Sequence, residues 1–152
     1  MADKPIIHTT PPIPYDPTEK TVEISDEEWS RLLTASQYKV IRKQGTERAF
    51  QGQYADFHED GTYICAACAN PLFDSSTKYE SGSGWPSFFS PLDEDSIKTQ
   101  EDDSLFSKRT EVLCKRCSGH LGHLFDDGPP PTGLRYCMNS ISLSFITKHF
   151  TK

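Results

Sequence analysis

Thr62-Tyr63-Ile64-Cys65-Ala66-Ala67-Cys68 is the stretch that decides the fold. A β-prone triplet runs straight into a Cys-x-x-Cys turn, and the arrangement recurs where Arg109-Thr110-Glu111-Val112-Leu113 leads into Cys114-Lys115-Arg116-Cys117. Each cysteine pair therefore sits in a turn at a strand end and offers two thiolates at one point. Two such clips complete the tetrahedron that Zn²⁺ prefers, so Cys65, Cys68, Cys114 and Cys117 are expected to hold one structural zinc per chain. The gap between the clips is too long for one compact loop, which makes the metal a cross-link between distant segments. All four ligand positions are sulfur, leaving none open to water or substrate, so removing the metal is expected to cost folding. A redox-dithiol reading of either pair lacks the βαβ setting it would need. The residues after each clip (Ala69 and Asn70, Ser118 and Gly119) are small enough to let backbone N–H groups turn back toward the sulfurs.

Working outward, glycines and prolines recur after Gly45 with short apolar stretches between them, the signature of β structure. Before Gly45 the pattern is helical. Ser25 and Glu28 read as a capping box ahead of Trp29, Leu32 and Leu33 on one face; Thr34 and Gln37 read as a second box, with Tyr38 and Ile41 facing inward. Residues 1–20 hold five prolines and little periodicity, and are expected to form a flexible proline-rich arm ahead of a single domain over 21–152. The 152 residues suit one core. With 16 Lys+Arg against 22 Asp+Glu, a net charge of -6 argues against binding a phosphate backbone, so no nucleic-acid partner is expected. No apolar run approaches a membrane span, and Asp3, Pro5 and the later prolines stand where a secretory signal would need a basic start and an apolar stretch; a cytoplasmic monomer is expected.

Of the five cysteines, Cys137 is left over. A lone cysteine on a strand is commonly a small buried hydrophobe. Its neighbours point elsewhere: if 135–146 is one strand, Arg135, Cys137 and Asn139 share a face that then turns apolar through Ile141, Leu143 and Phe145. Arg135 would favour the thiolate, and Asn139 could bond a substrate oxygen. Two further segments look like pocket walls. Gly82-Ser83-Gly84-Trp85-Pro86-Ser87-Phe88-Phe89 sets a tryptophan in a glycine-defined loop, and Ser118-Gly119-His120-Leu121-Gly122-His123-Leu124-Phe125 spaces two histidines by glycines. The bland readings, core packing for Trp85 and structural hydrogen bonds for the histidines, stand beside the functional ones.

Those two segments, with Arg135-Tyr136-Cys137-Met138-Asn139-Ser140, the turn through Asp127 to Gly133, Gly45-Thr46-Glu47 and both clips, resemble the zinc-containing methionine-R-sulfoxide reductase family over residues 22–146. The resemblance implies a mainly β (α+β) fold of two antiparallel sheets with short N-terminal helices and a zinc site remote from the pocket. It also implies roles: Cys137 as nucleophile, Trp85 against the substrate methyl group with Phe125 as a further substrate-binding residue, His120, His123 and Asn139 around the sulfoxide oxygen, and Arg135 beside the thiolate. The activity implied is reduction of the R epimer of methionine sulfoxide in proteins and peptides through a cysteine sulfenic acid, a repair of oxidative damage. Many members carry a resolving cysteine where Ser83 stands here, so an external thiol such as thioredoxin is expected to regenerate Cys137. A non-catalytic zinc-ribbon binding module and a cysteine hydrolase built on Cys137 are the competing classes.

Overall fold

The computed structural model describes residues 6–102 and 109–148; the start of the arm, with Asp3 and Pro5, and residues 149–152 lie outside them. Two seven-residue helices come first, α1 (Asp26–Leu32) and α2 (Ala35–Ile41). Helices this short do not persist alone, so caps and buried anchors decide them. Ser25 accepts the Glu28 N–H, but the Glu28 side chain turns to Arg31 at 2.8 Å instead of closing the expected box. The Thr34–Gln37 box is complete in both directions. Trp29, Leu33 and Ile41 are buried, whereas Leu32, expected on the inner face, points outward at 38% exposure because the helix ends there and Leu33 takes the inward position in extended backbone.

The remainder is β. A three-stranded antiparallel sheet orders β2 (Pro71–Asp74), β1 (Gly61–Cys65) and β9 (Leu143–Thr147). A six-stranded antiparallel sheet orders β3 (Lys78–Tyr79), β4 (Ser87–Phe88), β8 (Arg135–Met138), β7 (His120–Phe125), β6 (Arg109–Cys114) and β5 (Ile97–Asp102). The strand ends at Cys65 and Cys114 fall where the sequence places them. Rings join the sheets: Tyr63 of β1 meets Phe88 of β4 edge-on at 5.0 Å, and Phe73 of β2 stacks on Phe88 at 4.2 Å. Each such pair contributes about 0.5–1.5 kcal/mol beyond its area.

The expected single strand over 135–146 is two strands in different sheets. β8 ends at Met138, a 3₁₀ turn occupies Ser140–Ser142, and β9 continues in the smaller sheet. Alternation across the break is the same for one strand as for two, so periodicity could not reveal it. The turn is held by side chains: Ser140 Oγ accepts from Tyr54 N–H, Glu47 Oε1 accepts from Ile141 N–H, and Ser142 Oγ donates to the His120 carbonyl. Arg135, Cys137 and Asn139 consequently do not share a face with Leu143 and Phe145, which belong to the other sheet.

Over its described part the proline-rich segment lies along the domain. Ile13 N–H donates to Ala67 O at 3.2 Å, His8 pairs with Tyr54 at 2.7 Å, and Ser144 Oγ donates to Thr9 O at 2.5 Å.

Candidate active site and metal centre

The two cysteine turns meet, joining the β1–β2 connection of one sheet to the β6–β7 connection of the other. Cys65 Sγ lies 3.7 Å from Cys117 Sγ, Cys68 Sγ lies 3.5 Å from Cys114 Sγ, and all four sulfurs fall within 4.8 Å of one another. A tetrahedral Zn²⁺ with Zn–S bonds of about 2.3 Å has sulfur–sulfur edges of about 3.8 Å, so the cluster is sized for such an ion. Every sulfur is buried. Four thiols this close compete for protons: hydrogen bonds from Cys114, Cys117 and Cys68 push the Cys65 thiol well up, while Cys114, against the cost of burial, is held down by bonds from its neighbours. A bound divalent cation relieves that competition. The turns are tightened differently from expectation. Ala69 and Ser118, both in left-handed backbone, donate their N–H groups to the Cys65 and Cys114 carbonyls, and the bond to a sulfur comes from Ala67, 3.4 Å from Cys65 Sγ.

Cys137 stands apart from this cluster, on the face of the six-stranded sheet opposite the core. Register explains its company. Across the sheet Gln100, Glu111, His123, Cys137 and Ser87 are successive cross-strand partners, so all five project from one face. His120, three residues before His123, should point the other way in a regular strand. It does not, because the pairing slips: Val112 opposes Gly122 but Leu113 opposes His120, leaving Leu121 as an extra residue in a bulge. The bulge turns Leu121 into the core and puts the two imidazoles edge to face at 5.3 Å. Gly122 is required at this point, since a Cβ would collide with the Cys137 carbonyl of β8.

Thr46, Ser83, Trp85, Gly122, His123 and Phe125 surround Cys137 in a cavity of about 380 Å³, with Arg109, Arg135 and Asn139 completing its wall. Trp85 is fixed by its indole N–H, which donates to Glu47 O at 3.0 Å. Arg135 lies over the Phe125 ring at 4.3 Å and makes a two-pronged pair with Asp127 at 2.8 and 3.2 Å. His123 Nε2 is 3.0 Å from Asp102. His120 is not on the wall; it is buried behind it, with Nδ1 2.7 Å from Glu111, and burial lowers its pKa against the pull of Glu111. Asn139 reaches the wall, but its Oδ1 accepts from Glu47 N–H and its Nδ2 donates to Leu121 O, so much of its amide holds neighbouring chain.

Burial pushes the Cys137 thiol up; a hydrogen bond from Ser83 and the charge of Arg135 pull the other way without overcoming it. The expected effect of Arg135 is present but outweighed by burial. Sequence reasoning passed over Asp127, Asp102 and Glu111, the carboxyls that hold Arg135, His123 and His120. Asp127 was visible only as part of a turn. Asp102 and Glu111 carried no local signal, because strand pairing alone brings them to the histidines.

A family model described as the SelR domain matches residues 33–147. The chain is similar to a peptide methionine sulfoxide reductase MsrB of Methanosarcina barkeri, 54% identical over 130 residues that cover 86% of this chain and 92% of that protein. The protein of the same name from Leptospira interrogans is 56% identical over 124 residues, 82% of this chain and 95% of the relative. That of Thiobacillus denitrificans is 55% identical over 124 residues, 82% of this chain and 94% of the relative.

Proposed function

This chain belongs to the SelR-domain family, and from that premise we propose that it reduces the R epimer of methionine sulfoxide in proteins and peptides, with Cys137 as its nucleophile. The observation that carries the assignment is a single one. Cys137 is the one cysteine outside the four-sulfur cluster, and it faces a cavity walled by Trp85 with His123 directly opposite on β7.

In the proposed reaction the Cys137 sulfur attacks the sulfoxide, the sulfur–oxygen bond of the substrate breaks, and oxygen remains on Cys137 as sulfenic acid. The substrate sulfur gains two electrons and leaves as a thioether; Cys137 loses them. Negative charge growing on oxygen is met by His123 and Arg135, and the proton released by the Cys137 thiol completes the balance. His120 and Asn139 support that oxygen site from behind: His120 through its edge contact with His123, Asn139 by holding the Glu47 and Leu121 backbone. Trp85 and Phe125 take the methyl group and side chain, so the stereocentre fits one way round.

Ser83 Oγ is 4.0 Å from Cys137 Sγ where a resolving thiol would stand, and the remaining four cysteines are in the cluster. Two external thiols therefore complete the cycle: one displaces water from the sulfenic acid to form a mixed disulfide, and the second releases Cys137 and leaves as the external disulfide. Thioredoxin in the cytoplasm is the proposed source, acting on a monomer. Among the described residues no helix is long and apolar enough to cross a membrane. Zn²⁺ on Cys65, Cys68, Cys114 and Cys117 would serve as a cross-link between the sheets.

The test is incubation with dithiothreitol and separated epimers of a methionine-sulfoxide peptide. Consumption of R alone is expected. In Cys137→Ser it should fall at least about a thousandfold, with one zinc retained per chain; turnover surviving that substitution would remove the proposal.

A further inference from the structure

Among the described residues four non-glycines hold left-handed backbone: Gln44, Phe50, Ala69 and Ser118. Three have a reason inside the fold. Ala69 and Ser118 close the cysteine turns, and Gln44 lays its amide against both Glu111 oxygens at 2.9 and 3.0 Å. Phe50, with φ +65°, is third in the turn closed by Gln51 N–H onto Arg48 O, a position where such backbone favours Gly or Asn. Its side chain is not core. It is 71% exposed, more than any other large apolar side chain among the described residues.

The surroundings of Phe50 lead to the Cys137 cavity. Its N–H donates to Gly84 O at 2.7 Å, and its ring lies against Gly84, where a Cβ would come within 2.8 Å of Cδ2. Gly84 stands between Ser83 and Trp85, both on the cavity wall. The same segment holds Trp85 itself, through the bond from the indole N–H to Glu47 O. Residues 47–50 thus hold the Trp85 loop and leave an aromatic face in water beside Gly84, next to the cavity wall and outside its lining.

We propose that Phe50 is a docking residue for the polypeptide that carries the oxidised methionine, its ring receiving an apolar side chain that flanks the sulfoxide. The inference rests on the reductase reading. Left-handed backbone and an exposed aromatic ring are both unfavourable in the free protein; the bond from Phe50 N–H to Gly84 O offsets part of the first, and the second is left in water. The cost of the exposed ring is recovered when the ring is covered. The cavity takes the oxidised side chain, so the neighbouring residues of the substrate must run over the rim. Polypeptide in which methionine has become accessible to oxidation exposes other apolar side chains too. A ring whose backbone is held by the bond to Gly84 O loses less freedom on meeting one than a ring on an unheld loop.

The test uses the zinc-loaded full chain with dithiothreitol and three R-sulfoxide peptides: glycine on both sides of the oxidised methionine, leucine before it, and leucine after it. At least one leucine peptide should exceed the glycine peptide in kcat/KM by about tenfold, through KM. That ratio should fall to near one in Phe50→Asn, which suits left-handed backbone, and persist in Phe50→Tyr, which keeps the ring. Each ratio is internal to one variant, so a general loss of activity cancels. A wild-type ratio near one, or a ratio unchanged in Phe50→Asn, overturns the docking role while turnover of the glycine peptide keeps the reductase reading. Absence of turnover on all three peptides by the wild type overturns both.

Discussion

The four-cysteine cluster and the Cys137 pocket put the same element to opposite uses, and the surroundings make the difference. In the cluster, cysteines at 0–2% exposure turn their sulfurs toward one another, and the backbone N–H groups of Ala69 and Ser118 tighten the turns by bonding to the Cys65 and Cys114 carbonyls. At the pocket a single sulfur looks into a cavity between an indole, an imidazole and a guanidinium. Four converging thiols make a site suited to a cation and closed to a reactant; on the proposed reading, one thiol among donors makes a site for a reactant. The two are joined by β7, which leaves the second cysteine turn and, within six residues of Cys117, presents His123 to Cys137.

The contrast breaks most severely if the two kinds of cysteine prove exchangeable. Cys68→Ser should abolish cooperative folding, because a structural zinc site is worth about 10–16 kcal/mol in apparent binding energy and a domain has only about 5–15 kcal/mol of stability. Thermal unfolding by circular dichroism with a metal assay reads this, and a folded, zinc-free Cys68→Ser protein would show that the cluster is not a cross-link. On the pocket side, His123→Ala should lower kcat by about 10²–10⁴-fold, with zinc content unchanged. A smaller effect on charge should follow from Arg135→Gln. The alkylation rate of Cys137 against pH should have its midpoint above that of an ordinary cysteine, since burial raises the thiol, and removing the opposing charge should move the midpoint further up. A downward move would contradict the assigned sign. The smallest effect is expected away from both regions: Thr34→Ala removes the cap of α2 and should cost about 1 kcal/mol by denaturant titration, leaving zinc content and epimer preference as they were.

Much of the metal centre could be read from sequence because its signal is local: two short clips, each at the end of a β-prone run. The separateness of Cys137 from the cluster was legible for a related reason, as the cysteine that arithmetic leaves over beside Arg135. What resisted was whatever depends on phase or pairing. The bulge at Leu121 turns His120 onto the face of His123, and a period of two predicts the reverse. The 3₁₀ turn after Asn139 moves Leu143 into another sheet without disturbing the alternation. Asp102 and Glu111 reach the histidines only through the register of β5, β6 and β7, information distributed over strands that no single segment contains. Leu32 misled because it is the last residue of the helix, and Leu33, in extended backbone just beyond it, takes the inward position.

Arg116, inside the second cysteine turn, donates to Cys68 O at 2.6 Å, to Pro14 O at 3.1 Å and to Glu19 O at 2.9 Å, while its own carbonyl accepts from Val22 N–H at 2.7 Å. One residue therefore buckles the proline-rich segment onto the cysteine turn that would hold the ion. Stripping the metal with a chelator would undo the buckle, and the strap of chain around residues 14–22 would become open to proteases before the sheets themselves give way.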